Sequence, residues 1–228
     1  MKNSILKSLT RAELFLWLCS VSAVLLSYVV LPSGSALSLI ASLVGVTALI
    51  FVAKGYVIGQ VLTVIFSILY GIISFEMRYF GEMITYLGMT APVAVLAVIG
   101  WMRHPFKGSR EVKVRRLSGK HYFVMFILTG IITIMFYFIL RYFDTANLFL
   151  STVSVATSFI ASYLTMMRSP LYGIGYGMND IVLILLWLLA FLEDQSYFPV
   201  LVCFFVFLIN DIYGFFNWRN IEKKQRDQ

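Results

Sequence analysis

The chain has 228 residues, of which 60% are hydrophobic and 13% charged, with a mean hydropathy of +0.87. Soluble domains run nearer half apolar and a quarter charged, so the composition excludes a soluble globular fold and points to a protein dissolved in the lipid bilayer. The net charge of +7 invites a nucleic-acid reading, which the placement of the charges removes.

A membrane-crossing helix needs about 20 mostly apolar residues. Eight segments meet that length in chain order: 13–31, 35–53, 55–75, 82–102, 122–140, 145–167, 171–192 and 197–218. The runs are long and do not alternate with period two, which argues against strands. The basic start and first apolar run could pass for a secretory leader. Leu31-Pro32-Ser33-Gly34-Ser35 lacks a small-x-small cleavage pattern, so a first membrane helix is expected instead. Cys19 and Cys203 sit inside apolar runs without metal-ligand spacing and read as small packing residues.

With the N-terminus in the cytoplasm, 16 of the 18 Lys and Arg residues fall on the inner side, including Lys2, Lys7 and seven cations from Arg103 to Lys120. Arg78 and Arg141 alone fall outside. This split follows the positive-inside rule and requires an even number of spans with both termini cytoplasmic. Glu76, Glu82, Asp144, Glu193 and Asp194 then fall on the outer side. The basic loop fixes orientation and rests against anionic headgroups, with no role for nucleic acid. His104 and His121 flank it without a metal partner.

The stretches 54–103 and 168–219 match in outline. Each opens on a cation and a helix start bearing Gly and Tyr, crosses twice around a short acidic turn, and ends in Trp followed by Arg. With the preceding span added, the chain reads as an extra N-terminal helix (13–31), a three-helix bundle (35–102), a linker helix (122–140) and a second three-helix bundle (145–218). That is an all-α integral membrane fold of about eight helices, built on a 3+1+3 parallel repeat. Such folds place a solute near the midplane between the bundles.

Polar residues at membrane depth point to that site. Asp180 and Asp211 are the carboxylates well inside apolar runs, each preceded by Asn179 and Asn210, and a central Asp is expected to face the bundle interior. Asn210, Tyr213 and Asn217 share one face of the last span, while Gln60, Thr63, Ser67 and Tyr70 share one face of the third. Both stripes read as cavity walls. Tyr172 and Tyr176 could stack on a planar ring, as could Trp187 nearer the outer surface. Ser151, Ser154, Ser158 and Ser162 read as a close-packing stripe. Pro92 cannot donate to the Gly88 carbonyl and should bend the fourth span. Gly173, Gly175 and Gly177 follow no strand and so form no nucleotide loop; they suit close packing or a flexible helix start.

Tyr79-Phe80-Gly81-Glu82-Met83, Pro92, Gly100-Trp101, Asn179-Asp180 with Trp187, and the ending from Ile209 to Trp218 together resemble the PnuC family of vitamin transporters. The similarity covers nearly the whole chain after the first span. The resemblance implies a fold like that of SWEET sugar transporters, a homotrimer in a bacterial cytoplasmic membrane, and passive import of nicotinamide riboside trapped by cytosolic phosphorylation. It implies no cofactor, and it maps a binding Asn onto Asn179. Where many relatives carry tryptophans, this chain has Tyr172 and Tyr176, which leaves thiamine or riboflavin open as the cargo. A proton-coupled carrier using Asp180 or Asp211 is the mechanistic alternative. A membrane enzyme is disfavoured, since there is no HExxH, no GxSxG and no His within a span.

Overall fold

Each apolar run folds as a helix long enough to cross a bilayer, eight in all among the described residues. The computed structural model describes residues 8–31, 35–76 and 79–228. Lys2, Lys7 and Arg78 of the charge count, and Pro32, Ser33 and Gly34 of the leader reading, lie outside the described residues.

The helices are α1 (Arg11–Val30), α2 (Ala36–Ala53), α3 (Val57–Glu76), α4 (Phe80–Thr85), α5 (Ala91–Met102), α6 (Gly119–Tyr142), α7 (Leu148–Met166), α8 (Tyr172–Glu193) and α9 (Phe198–Arg226). The fourth span is α4 and α5 joined by a π-helical turn, Tyr86–Thr90. Pro92 sits in the first turn of α5, where its missing N–H is tolerated. The widened turn is closed by the Ala91 N–H, which donates to the Tyr86 carbonyl five residues back.

α9 outruns the expected last span by two turns. Ile221 is buried in a hydrophobic cluster with Trp101, Val112 and Trp218, and the Glu222 carboxylate pairs with the Arg116 guanidinium. The loop between α5 and α6 supplies that surface. It is more than a headgroup-facing loop, because Val112 is buried and its backbone N–H donates to the Gly55 carbonyl at 2.8 Å. Arg115 N–H donates to the Arg168 carbonyl at 2.9 Å. Gln225 accepts from Val114 N–H at 2.9 Å and donates to the Val112 carbonyl at 3.0 Å. The loop thus straps the α2–α3 turn, the α7–α8 turn and the end of α9 together, at what is the basic end of the bundle.

α2 packs on α3 and α9, α3 on α5, α5 on α7, and α8 between α7 and α9. α6 buries only Met125, Phe136 and Leu140, while Phe123, Phe126, Ile131 and Phe138 face outward. An apolar outer surface of this kind is stable when the surrounding solvent is lipid.

α1 is bound by polar contacts that its apolar sequence hides. Glu13 closes a capping box with Thr10 and is buried. Both its oxygens accept from Lys54 Nζ, at 2.8 and 2.9 Å, and Oε1 also accepts from the Tyr213 hydroxyl at 3.2 Å. Higher along α1, Trp17 donates to Thr47 at 3.1 Å and Ser20 accepts from Asn210 at 2.9 Å. Breaking a buried ion pair strands its partner, at a cost of about 3 kcal/mol. Glu13→Ala should therefore lower the melting temperature measured in detergent, and Glu13→Leu with Lys54→Met should recover most of the loss. Equal losses for the single and double variants would show that the pair contributes nothing beyond packing.

Candidate functional site

Two glycines on α8 set the geometry. A Cβ on Gly173 would lie 2.6 Å from the Asp211 carbonyl oxygen and 2.7 Å from Phe215 N on α9, and one on Gly175 would lie 2.9 Å from Ala161 Cα on α7. Backbones at such separations are possible only with glycine. They bring Asn179 and Asp180 on α8 beside Asp211 on α9 and Ser158 on α7.

These residues line a cavity with about 60 Å³ open to water-sized molecules, room for a few waters. Its wall is drawn from α2, α3, the π turn, α7, α8 and α9. α1 and α6 contribute none of the described lining. The polar part of the lining is Gln60, Thr63, Ser162, Tyr176, Asn179, Asp180 and Asp211. Asp180 Oδ2 has no hydrogen-bond partner among the described residues. The aromatic part is Phe66, Tyr86, Phe204 and Phe207. Phe66 meets Phe207 edge-on at 5.5 Å and Tyr86 edge-on at 6.0 Å. Carboxyl and amide groups together with aromatic rings suit a flat, cationic, hydrogen-bonding solute.

Of the residues singled out in the sequence, Gln60, Tyr176, Asn179, Asp180 and Asp211 come together here. The stripe on the last span is corrected. Asn210, Tyr213 and Asn217 do share a face, but it packs on α1 and α2: Asn210 donates to Ser20, Tyr213 to Glu13, and Asn217 to the Ala53 carbonyl at 2.8 Å. Tyr172 and Trp187 are corrected as ring-stacking residues of the cavity, and Tyr70 as wall. Tyr172 is wedged against Gly214 and tilts over Trp218 at 4.8 Å. Tyr70 and Trp187 join an aromatic plug at the opposite end. The serine stripe is half corrected, because Ser158 and Ser162 pack tightly and also line the cavity. Sequence reading missed Tyr86 and Thr90, which the π turn rotates inward, and the phenylalanines.

Aromatic clusters lie toward both ends of the bundle. At the basic end Trp101 and Trp218 pack 5.4 Å apart. Trp101, ending the fourth span, donates to the Thr165 carbonyl of α7 at 3.0 Å, and Trp218, near the end of the last, donates to the Val52 carbonyl of α2 at 2.8 Å. At the opposite end Tyr79, Trp187 and Tyr197 form a triangle with centroids 5.1 to 5.6 Å apart, and Tyr70 links it inward at 6.4 Å from Trp187. Burial and the neighbouring Tyr197 push the Tyr79 phenol above its ordinary value.

A multi-pass helical protein with a cavity of amides, carboxyl groups and aromatic rings inside its bundle fits the class of membrane transporters for small solutes. The family model described as nicotinamide mononucleotide transporter matches residues 35–220, and the chain belongs to that family, the PnuC transporters. It is similar to the nicotinamide riboside transporter PnuC of Neisseria mucosa, 25% identical over 197 residues that cover 84% of this chain and 75% of the relative. It is also similar to that of Haemophilus influenzae, 23% identical over 201 residues covering 87% and 85%. The crystal structure of the vitamin B3 transporter PnuC superposes with a TM-score of 0.83 at 24% identity, covering 96% of this chain and 94% of that one. α1 precedes the family match.

Proposed function

We propose that the protein imports nicotinamide riboside by facilitated diffusion across a bacterial cytoplasmic membrane, with cytosolic phosphorylation trapping the product. The observation that carries the reading is the cavity wall, which combines Asp180, Asp211 and the Asn179 and Gln60 amides with the Phe66, Phe204 and Phe207 rings. The riboside has a cationic pyridinium for the rings and the acidic wall, and hydroxyls and a carboxamide for the amides. The names of the two relatives support the same cargo. The family description names the mononucleotide, but no Lys, Arg or His stands among the described lining residues. A phosphate beside two carboxyl groups without a cation is unfavourable, which favours the riboside.

The 3+1+3 architecture belongs to this proposal. It is supported by a wall that draws on six spans and leaves out α1 and α6. The Trp101 and Trp218 indoles support it too, each crossing to the opening helix of the other bundle. The positive-inside rule places the basic end and both termini in the cytoplasm. In this reading the two aromatic clusters open alternately. A homotrimer, as the resemblance implies, is part of the proposal, with a complete cavity in each protomer.

The test is uptake of labelled nicotinamide riboside into liposomes holding the purified protein, with no ion gradient and no kinase. Equilibration faster than in empty liposomes is expected, unchanged by an imposed pH gradient. The buried Asp180–Asp211 pair favours a second reading, proton coupling, which acceleration by an inward proton gradient would establish. Intact protein without uptake would overturn the riboside reading and send the assay to thiamine and riboflavin.

A further inference from the structure

The Asn179 side chain is held from one side. Its Oδ1 lies 2.9 Å from Thr157 Oγ1 and 2.9 Å from Ser158 Oγ, both on α7. The Thr157 hydroxyl has other acceptors in reach, the Val153 and Ser154 carbonyls at 3.1 Å each. Ser158 differs. It is buried, and Asn179 Oδ1 is its one hydrogen-bond partner among the described residues. A buried hydroxyl needs an acceptor for its proton, and of the two amide atoms only the oxygen accepts. Ser158 therefore settles which way the amide points. The carbonyl is bonded to α7, which leaves the NH2 group to serve the cavity that Asn179 lines.

We propose that Ser158, assisted by Thr157, is a specificity-determining positioning residue: it holds the Asn179 amide so that the cavity presents an N–H donor, and so selects solutes carrying a hydrogen-bond acceptor, such as a carbonyl, at that place. Without Ser158 the amide could rotate and offer either atom, and the choice would be lost. With an Asn179 fixed in advance, none of the binding free energy is lost in ordering it. The identity of the acceptor as the carboxamide oxygen rests on the nicotinamide riboside reading. The positioning role does not.

The test is a double-mutant cycle on binding affinity, measured calorimetrically on the full-length protein in detergent. With nicotinamide riboside as the probe, Ser158→Ala should weaken binding about five- to tenfold, the scale of one well-placed hydrogen bond. In an Asn179→Ala background the same substitution should change nothing, because there is no amide left to position. Ser158→Ala should also narrow the preference for nicotinamide riboside over the same riboside lacking its carboxamide. Ser154→Ala, one turn earlier and with a hydroxyl whose one partner among the described residues is the Ser151 carbonyl, controls for packing of α7 and should leave affinity unchanged. An equal loss in both backgrounds would overturn the proposal, because Ser158 would then act through helix packing. So would an unaltered affinity in Ser158→Ala. Should the wild type bind no nicotinamide riboside, the substrate reading falls, and the cycle is run with whichever of thiamine or riboflavin stabilises the protein. Dependence of the Ser158 effect on Asn179 would again support the proposal, and independence would overturn it.

Discussion

Asp180→Ala should abolish transport while leaving the protein as stable as the wild type, or more so. Its carboxyl group is buried, lines the cavity with Asp211, and leaves Oδ2 without a partner among the described residues. A buried polar atom without a partner costs about 1–3 kcal/mol. Deleting the group removes that cost and opens a small cavity, and the two effects largely cancel. Uptake should nevertheless fall about hundredfold, the scale expected from losing one charge-assisted hydrogen bond to a cationic solute. Asp180→Asn keeps the shape and should fall between the two. The measurements are initial uptake into liposomes and melting temperature in detergent, made on the same preparations. Functional groups are commonly kept at the expense of stability, and that trade is the signature sought. A fall in melting temperature with normal uptake would instead make the pair part of the fold alone.

The spans were legible because lipid leaves the backbone no alternative. Every buried N–H and C=O must be satisfied within the segment, so a run of some 20 apolar residues can only be a helix. Asn179, Asp180 and Asp211 stood out for the related reason that polar groups at that depth are expensive. Periodicity then reached its limit. It says that Asn210, Tyr213 and Asn217 share a face, but not which neighbour that face meets. Consecutive helical residues point about 100° apart. With Asp211 turned to the cavity, Asn210 turns toward Ser20 on α1. The aromatic half of the wall was hidden by abundance, since Phe66, Phe204 and Phe207 are three of 20 phenylalanines, and only packing separates wall from lipid face. Tyr86 and Thr90 were hidden by register, because a π turn rotates its residues away from the face that ideal helical spacing assigns. Glu13 looked like part of an ordinary helix start, since its partner Lys54 is 41 residues away.

The convergence of α8 and α9 is the joint on which the site depends, and one added methyl group tests it. In Gly173→Ala the new Cβ would meet the Asp211 carbonyl oxygen at 2.6 Å and Phe215 N at 2.7 Å. Both are backbone atoms, so no side chain can swing aside, and the helices must separate or slide. Overpacking of this kind costs typically about 1–3 kcal/mol. Here the shift falls on the peptide of Asp211 itself, so its place beside Asp180 in the cavity wall is displaced too. Gly173→Ala is therefore expected to lower the melting temperature by several degrees and to remove uptake. Gly177→Ala supplies the comparison on the same helix. The nearest atom to its added Cβ is Leu208 Cδ1 at 3.6 Å, an ordinary contact, and alanine favours the helix by about 1 kcal/mol over glycine. That variant should be as stable as the wild type or more so, with uptake preserved. Opposite responses to the same substitution, one turn apart, would locate the requirement in the α8–α9 contact. If Gly173→Ala behaved like Gly177→Ala, the helices would have room to adjust, and the close approach would not be what aligns the two carboxyl groups.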